Sequence, residues 1–325
     1  MPSPQIAEQV TKYLSDAHSI ERQALVQMRL APRLAGTARL AAAFREHEAE
    51  TEQHERLVRE RMQARGATPS TAKDLVMAAG GVGFALFART QPDTPGKLTS
   101  HAFSYEHLEL ASYELLLRVA QRAGDEETAA VAAQIRDEEA AMARRLEDAT
   151  DAAVEASLRE QDPGDLDKQL RKYLSDAHAI ENQAIQLLSK GEKIAGDPVL
   201  AQLYDEHLGE TREHARLIDA LLETHGGSSN AIKDAAMRLG ALNWGGFFAA
   251  QPDTPGKLAA FAHAFEFLEI GGYEQLLRVA RRANDDDVVR SVEAILVEER
   301  AAARKIAAQF DRAVEASLHA TGAAA

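Results

Sequence analysis

Glutamate and histidine side chains interrupt four otherwise apolar helical stripes in the first half of the chain. These candidate metal ligands are Glu21; Glu50 and His54; Glu106 and Glu109; and Glu138 and Glu139. Their apolar neighbours recur at spacings of three, four or seven residues, which predicts that the acids face a helical core. Buried carboxylates are costly unless they are protonated, pair with Lys or Arg, or hold a cation. The stripes carry no Lys or Arg near these positions, and carboxylates with imidazole suit iron or manganese, and zinc less well.

The same pattern returns 160 residues later in the chain. The segment Lys12–Leu158 aligns with Lys172–Leu318 without a gap, and the heptapeptide KYLSDAH occurs in both copies. The repeated candidates are Glu181; Glu210 and His214; Glu266 and Glu269; and Glu298 and Glu299. A residue that is costly to bury and that occurs in both copies is less easily explained as an accident. The repeat predicts two domains, over residues 1–160 and 166–325, each large enough to bury its own core.

Alanine, leucine, glutamate and arginine dominate, which predicts an all-α fold. The sequence predicts four long helices in the first copy, here called helices A to D: Gln5–Leu30, Thr37–Arg65, Gly96–Gly124 and Asp125–Leu158. Residues 66–95 would form a long crossover between helices B and C, with a short helix over Ala72–Ala88. One long crossover in a four-helix bundle is the ferritin-like arrangement. The prediction is therefore two tandem ferritin-like four-helix bundles.

The heights of the acids along the helices also agree. In an antiparallel hairpin, residues equidistant from the turn lie at one level. The midpoint of Glu21 and Glu50 falls in the predicted A–B turn, and the midpoint of Glu109 and Glu139 falls at Gly124, the predicted C–D turn. Each acid is then about 15 residues, or roughly 22 Å, from its turn. The four carboxylates can converge in the middle of the bundle, as in a di-iron site.

Stripe position gives the candidates different roles. Glu109 is favoured over Glu106 as the ligand, and Glu139 over Glu138. His54, one turn after Glu50, either binds the metal or supports a ligand. His47 is interpreted as a supporting or core histidine. Tyr113 and its counterpart Tyr273 are interpreted as core tyrosines whose hydroxyl bonds an acid.

Composition argues against several function classes. The chain has no cysteine, so disulfides and thiolate metal sites are excluded. The net charge of −14 argues against nucleic-acid coating. The longest apolar run, Ala78–Ala88, is about half of the ~20 residues that a membrane helix needs, and the N-terminal residues lack a signal-peptide pattern. The expectation is a cytoplasmic protein with no nucleic-acid or membrane partner.

Two stretches of each copy resemble the YciE/YciF family of ferritin-like proteins. They are the helix B stretch with His47, Glu50 and His54, and the helix C stretch YEHLELASYELLLRVAQRAGDEE, which returns as FEFLEIGGYEQLLRVARRANDDD. The resemblance implies a ferritin-like bundle with a dinuclear iron-type site and a role in bacterial stress responses. By motif position, the implied ligands are Glu21, Glu50, Glu109, Glu139, Glu181, Glu210, Glu269 and Glu299. Because such proteins resemble dimer formers, the tandem copy is expected to make a pseudo-dimer within one chain, with a homo-oligomer as a further option.

Two features depart from the usual Glu-x-x-His pattern of ferritin-like enzymes. On helix B the histidine follows Glu50 by four residues, not three, and helix D has Met142 at the expected histidine position, with Ala302 as its counterpart. A site poorer in imidazole leaves the number of metal ions open.

The leading hypothesis is oxidation of Fe(II) by oxygen or peroxide, or the breakdown of peroxide, at an iron or manganese site in each bundle. The alternative is a non-enzymatic stress or scaffold bundle whose buried acids are structural. Iron storage ranks below both, because nothing in the sequence indicates the shell that storage requires.

Overall fold

The computed structural model describes residues 4–68, 94–159, 165–227 and 253–323. These residues form nine α-helices, one 3-10 turn at Ala31–Arg33 and no strand, so the all-α prediction is confirmed. The helices are α1 (Pro4–Leu30), α2 (Ala38–Ala64), α3 (Thr94–Arg122), α4 (Glu126–Arg159), α5 (Leu166–Ile194), α6 (Pro198–Thr224), α7 (Thr254–Ala283), α8 (Asp286–Ala307) and α9 (Phe310–Ala320).

The helices pack into two compact units, α1–α4 and α5–α9. In the first unit, α1 packs against α2 and α3, and α4 packs against the same two helices. In the second unit, α5 and α8 pack in the same way against α6 and α7, and α9 packs against α7. Each unit is therefore a ring of four helices that all face one central axis. The exact domain boundaries, 1–160 and 166–325, stay a prediction.

The hairpin turns lie where the sequence predicts them, because residues there can adopt a left-handed backbone. The φ angles are +69° at Gly36 and Gly196, +64° at Gly124 and +55° at Asn284. At Gly36 a Cβ atom would lie only 2.5 Å from Cγ of Pro95. This turn therefore needs glycine both for its φ angle and for the close approach of α3.

Side-chain caps fix where the second helix of each hairpin begins. Thr37 accepts a hydrogen bond from the backbone N–H of Leu40, at 3.2 Å. Asp197 does the same at the start of α6, and Asp125 and Asp285 cap α4 and α8. These caps satisfy N–H groups that the first turn of a helix leaves unpaired. They also set the register that brings the four acids of each bundle to one level.

Helix D differs between the two copies. In the first copy it is continuous as α4, whereas in the second it ends at Ala307 and begins again at Phe310. Phe310 replaces Thr150, and its buried ring packs edge-on against His263, with ring centroids 5.4 Å apart. The larger aromatic side chain accompanies the break.

The predicted B–C crossover, with its short helix over Ala72–Ala88, lies outside the described residues. Within the parts of the chain that the structure describes, no helix is long and apolar enough to span a membrane.

Candidate metal centre

Six acidic and histidine side chains from all four helices meet in the middle of the first bundle. They are Glu21 from α1, His47 and His54 from α2, Glu106 and Glu109 from α3, and Glu139 from α4. All six are 0% exposed. They form two groups, one with His47, Glu106, Glu109 and Glu139 and the other with Glu21, His54 and Glu139. Within each group the facing ligand atoms lie within 4.8 Å of one another, close enough to hold one cation.

The second bundle repeats this arrangement with the same residue types. One group contains His207, Glu266, Glu269 and Glu299, and the other contains Glu181, His214 and Glu299. All of these side chains are buried, with exposures of 0–3%. Of the acids that the sequence placed at one level, Glu21, Glu109 and Glu139 converge with their second-copy counterparts, whereas Glu50 and Glu210 do not.

One carboxylate belongs to both groups of the first bundle. Oε1 of Glu139 lies 2.8 Å from Nδ1 of His54, and Oε2 lies 3.3 Å from Nε2 of His47. In the second bundle Oε1 of Glu299 lies 2.8 Å from Nδ1 of His214, and Oε2 lies 3.8 Å from Nε2 of His207. Each oxygen of the shared carboxylate thus faces a different histidine, so Glu139 and Glu299 each connect the two groups of their bundle.

Several ligand atoms of the cluster have no partner that satisfies them. Neither oxygen of Glu109 accepts a hydrogen bond from any residue that the structure describes, and the same holds for both oxygens of Glu269. Nε2 of His47 lies 3.0 Å from Oε2 of Glu106, but the angle is wrong for a hydrogen bond. Buried polar atoms are rarely left in this state. The ligand atoms of each group lie within 4.8 Å of one another, so a cation between them would satisfy them.

A tyrosine hydroxyl holds the acid from the first helix of each bundle. Tyr113 donates a hydrogen bond to Oε1 of Glu21, and Tyr273 donates the corresponding bond to Oε1 of Glu181. Both tyrosines are 1% exposed. The interpretation of these residues as core tyrosines bonded to an acid is confirmed. Each bond fixes Oε1 of the glutamate, which also lies 3.8–3.9 Å from Nδ1 of the clustered His54 or His214, and leaves Oε2 without a hydrogen-bond partner among the described residues.

Burial controls the protonation of the cluster. It raises the pKa of Glu21 and of Glu106 to about 8, against the opposing attraction of the histidines. Burial and the neighbouring Glu139 raise the pKa of Glu109 well above its usual value. Burial opposes ionisation of Glu139 too, but the two histidines outweigh it and hold the pKa of Glu139 well below its usual range. Burial lowers the pKa of His54, yet Glu139 and Glu21 overcome this and raise it to about 9.

The second bundle has the same electrostatic pattern. Burial, together with the nearby Glu299, raises the pKa of Glu181 to about 8. Burial raises the pKa of Glu266 to about 7, and carboxylate neighbours outweigh burial to raise that of His214 to about 9. At neutral pH protons thus occupy buried acids such as Glu21 and Glu181 and the imidazoles of His54 and His214, while Glu139 stays ionised. A cation that binds here must displace them, so binding is expected to release protons.

Four predicted ligands lie outside the clusters, and their interpretation as inward-facing acids is corrected here. Glu50, Glu138, Glu210 and Glu298 are part-exposed, with side-chain exposures of 33–54%. Each instead contacts the outer nitrogen of a clustered histidine, at 2.9 Å for Glu50 with His47 and 2.6 Å for Glu138 with His54. In the second bundle the distances are 3.0 Å for Glu210 with His207 and 2.8 Å for Glu298 with His214.

The helical angle explains this displacement. Glu138 precedes Glu139 by one residue, which rotates it by about 100° around the helix. On α2, the residues His47, Thr51 and His54 lie on one face at spacings of four and three, and Glu50 lies to one side of that face. Carboxylates that hold the outer nitrogen of a histidine are common around metal sites, where they fix which nitrogen faces the metal.

His47 and His207 are clustered residues that sequence reasoning did not rank as ligands. Their signal was the seven-residue spacing to His54 and His214, since seven residues are close to two helical turns. The two rings of the first bundle lie 6.4 Å apart between centroids. Both clustered histidines of the first bundle therefore come from α2, and both of the second come from α6. The second histidine on the same helix takes the place of the histidine that was expected on helix D. Glu106 and Glu109 are both clustered, so the choice between them was unnecessary.

The donor set of each bundle can hold metal. Each bundle offers four carboxylates and two imidazoles, and the chain has no thiolate. Such oxygen and nitrogen ligands suit iron, manganese or zinc. What the structure establishes is a buried cluster in each half that can bind metal; the identity of the ions does not follow from it.

Comparison with known proteins gives one family. A model described as a domain of unknown function, DUF892, matches the chain twice, over residues 6–159 and 165–319. The two matched regions coincide with the two copies of the repeat. No solved structure matches the chain.

Proposed function

Since the chain belongs to the DUF892 family, whose description states no activity, we propose a function from the centre itself: each bundle binds two divalent metal ions, iron or manganese. The observation that carries the proposal is the shared carboxylate, Glu139 in the first bundle and Glu299 in the second. A structural acid needs only one partner, whereas these acids face a different set of ligands with each oxygen.

The ligands divide into two positions per bundle. In the first bundle, His47, Glu106 and Glu109 would hold one ion, and Glu21 and His54 the other, with Glu139 between them. The second position has fewer protein ligands, which leaves coordination open for an external molecule. Iron or manganese bound here would supply the redox electrons for a reaction with oxygen or peroxide. This centre would make the protein ferritin-like in function as well as in its helical bundle.

The surrounding residues prepare the ligands. When the inner nitrogen of His47 binds metal, its outer N–H donates to Glu50, and the outer N–H of His54 donates in the same way to Glu138. These bonds fix the tautomer and orientation of both rings. Tyr113 holds Oε1 of Glu21 beside His54, and Oε2 of Glu21 has no hydrogen-bond partner among the described residues, so it is available to a cation. Burial excludes water, which strengthens the attraction between the carboxylates and a bound cation.

Iron(II) oxidation with oxygen or peroxide is the redox activity that this proposal includes. The resemblance of helices B and C to the YciE/YciF family supports it, and so does the choice of oxygen and nitrogen ligands. The cytoplasmic, bacterial stress-response setting and the pseudo-dimer within one chain belong to the same proposal.

A structural bundle is the alternative, and one observation favours it. Protonated histidines already compensate the charge of Glu139, since His54 lies 2.8 Å from Oε1, and the acids around it have raised pKa values. The cluster can therefore be buried without metal. A direct measurement of metal binding separates the two functions.

The experiment is an anaerobic titration of chelator-treated protein with Fe(II), Mn(II) and Zn(II) in separate runs. We expect about two ions per bundle and about four per chain, with protons released on binding. Exposure of the iron-loaded protein to oxygen or peroxide should then oxidise the iron faster than the same iron in buffer. Protein that binds no metal, and whose stability is unchanged by metal, supports the structural alternative.

The double variant Glu139→Ala with Glu299→Ala should bind little or no metal, because it removes the shared ligand from both bundles. Asp137→Ala is the matched control: it also removes one carboxylate from α4, but its side chain is 70% exposed and pairs with Arg136. The control should bind metal as the natural chain does.

A further inference from the structure

The two centres have the same ligands, but the carboxylates behind their histidines are held differently. In both bundles the outer nitrogen of each clustered histidine contacts a part-exposed carboxylate, from Glu50, Glu138, Glu210 or Glu298. The difference lies one contact further out, in the residue that holds this carboxylate in place.

The first difference lies behind the first clustered histidine of α2 and of α6. In the first bundle Nη2 of Arg145 donates to both oxygens of Glu50, at 3.1 and 3.3 Å. The equivalent residue of the second bundle is Lys305, whose Nζ donates only to Oε1 of Glu210, at 3.4 Å. The lysine side chain is 51% exposed, against 36% for the arginine. Because a planar guanidinium loses less freedom per hydrogen bond than a flexible ammonium group, Glu50 is held more firmly than Glu210.

The second difference lies behind the second clustered histidine. Nε2 of Gln134 donates to Oε1 of Glu138 at 3.0 Å, while Oε2 of the same carboxylate contacts the histidine. The residue equivalent to Gln134 is Ala294, whose side chain has no donor. Within the part of the chain that the structure describes, the carboxylate of Glu298 has only the histidine as a hydrogen-bond partner. Its side chain is 54% exposed, against 36% for Glu138, so water competes for it more strongly.

The clusters themselves differ in the same direction. Nε2 of His47 lies 3.3 Å from Oε2 of Glu139, whereas the equivalent distance between His207 and Glu299 is 3.8 Å. The clustered histidines are 0% exposed in the first bundle and 2–3% exposed in the second. The ligands of the first bundle are therefore more closely assembled and better covered.

The hold on the outer carboxylate affects metal binding through the imidazole ring. A histidine that binds metal with its inner nitrogen donates its outer N–H to the carboxylate, which orients the ring and strengthens it as a ligand. A carboxylate with a second partner keeps this position, whereas an exposed carboxylate exchanges the imidazole for water. A centre whose carboxylates are already held needs less ordering when a metal ion arrives, and it binds the ion more tightly for that reason.

We propose that Arg145 and Gln134 are positioning residues that make the first centre bind metal more tightly than the second. When metal is scarce, the first bundle fills first, and it releases its metal last. Lys305 and Ala294 make the second centre the one that exchanges metal with the solution. This inference rests on the proposed metal binding and gives the two copies of the repeat different tasks.

Proteins with a single centre test the proposal with cobalt(II), which accepts the same nitrogen and oxygen ligands as iron and zinc. Glu299→Ala leaves only the first centre and Glu139→Ala only the second, and competition with a coloured chelator gives the cobalt affinity of each. Loss of the partner of a metal ligand costs about ten- to a hundredfold in affinity. Because the residues proposed here act one contact further out, we expect the first centre to bind cobalt about three- to tenfold more tightly. If either alanine variant loses helical content, glutamine at the same position replaces it, since the amide keeps the volume of the side chain and is a weaker ligand.

Exchange of the positioning residues between the copies is the sharper test. In the protein that keeps the first centre, Arg145→Lys with Gln134→Ala should weaken cobalt binding about three- to tenfold. In the protein that keeps the second centre, Lys305→Arg with Ala294→Gln should tighten it by a similar factor. A gain in affinity is not expected from residues that only stabilise the fold.

Arg136→Lys is the matched control for the arginine. Arg136 also lies on α4, but it contacts Glu114 and Asp137, neither of which contacts a clustered histidine. This variant should leave the cobalt affinity unchanged, and a loss equal to that of Arg145→Lys would overturn the assignment of Arg145.

A second measurement follows the hydrogen bonds of the histidines directly. Cobalt(II) displaces the NMR signals of the N–H protons of its histidine ligands, and their exchange in deuterated water reports how firmly each N–H is held. Exchange should be slower in the first centre than in the second. It should become faster in the first centre with Arg145→Lys and Gln134→Ala.

The outcomes separate this inference from the function beneath it. Protein that binds no cobalt overturns both. Single-centre proteins that bind cobalt with equal affinity and equal N–H exchange overturn the inequality of the centres alone. Unequal centres whose affinities do not respond to the exchanged residues overturn the role of Arg145 and Gln134.

Discussion

At the two centres, each of the six clustered side chains of the first bundle has an identical residue type 160 positions later. Around the centres the copies differ freely. The partly buried residue His101 becomes Phe261, and Glu55, which contacts His18 at 3.0 Å, becomes Ala215. Packing residues can be exchanged while the fold persists, provided that the volume is accommodated.

This difference separates two kinds of buried residue. The clustered acids are costly to bury, yet both copies have them, so both bundles use them for the same purpose. The residues that cover the clusters carry no such cost, and they vary.

The largest expected effect tests whether the two centres are independent. Glu139→Ala should remove metal from the first bundle alone, and Glu299→Ala from the second alone, since each residue is the shared ligand of one cluster. Each single variant should lower the metal content from about four ions per chain to about two. Metal analysis after gel filtration measures this. A single variant that empties both bundles would contradict independence, and one that empties neither would contradict the role of the shared carboxylate.

The next effect concerns pH and should be common to both copies. The pKa values of Glu21, Glu106 and Glu181 are raised to about 8 and that of Glu266 to about 7. Each of these carboxyl groups stabilises the folded state fully at pH values below its pKa in the unfolded chain, near 4.5. This stabilisation is lost as the pH rises through the pKa of the group in the folded protein. The pKa values of His54 and His214 are raised to about 9, so these histidines also lose their stabilising contribution as the pH rises above about 6.5, the usual histidine pKa. The melting temperature of metal-free protein should therefore fall between pH 5 and pH 9.

Thermal unfolding followed by circular dichroism, with a chelator present, measures this fall. The lowered pKa of Glu139 has the opposite sign, but its contribution is lost only in strong acid, outside this window. Saturating Mn(II) is the matched control: metal replaces the protons, so the fall should be reduced or abolished. A melting temperature that rises from pH 6 to pH 9 without metal would show that the cluster is not protonated as described.

The smallest effect concerns the C–D turn, where the copies use different residues. Gly124 and Asn284 both have a left-handed backbone, with φ of +64° and +55°. Asparagine tolerates this conformation better than other residues with a side chain. Gly124→Asn should therefore cost less than about 1 kcal/mol, whereas Gly124→Ala, whose Cβ would meet nothing within 4 Å, should cost about 1–2 kcal/mol from backbone strain alone. Chemical denaturation measures both, and an equal cost for the two variants would contradict the argument.

Helix bounds and the shared level of the acids were predictable because they depend on local patterns. The predicted helix A began at Gln5 and ended at Leu30, and α1 runs from Pro4 to Leu30. The predicted turns at Gly36 and Gly124 are where the backbone becomes left-handed. Periodicity and turn chemistry act within a few residues, so the sequence contains them directly.

The ligand set was harder to predict, because a stripe on a helix is wider than one residue. Glu50 and His47 both lie near the inward face of α2, and only the packing against α3 and α4 decides which one is buried. His47 lies 3.0 Å from Oε2 of Glu106, while Glu50 turns outward to Arg145. Such choices depend on contacts between helices that are distant in sequence. The break before Phe310 was not predicted either, and there Phe310 packs against His263 of another helix.

The position of Glu139 between two groups has a thermodynamic consequence. One carboxylate cannot serve two cations independently, because the first ion to arrive changes both its charge and its orientation. The affinity of the second position then depends on the occupancy of the first, and by linkage the dependence is reciprocal. Loading within each bundle is thus expected to be cooperative, positive or negative according to whether the first ion orders the carboxylate or repels the second. Glu299 gives the other bundle the same property, so one chain contains two coupled pairs of binding steps.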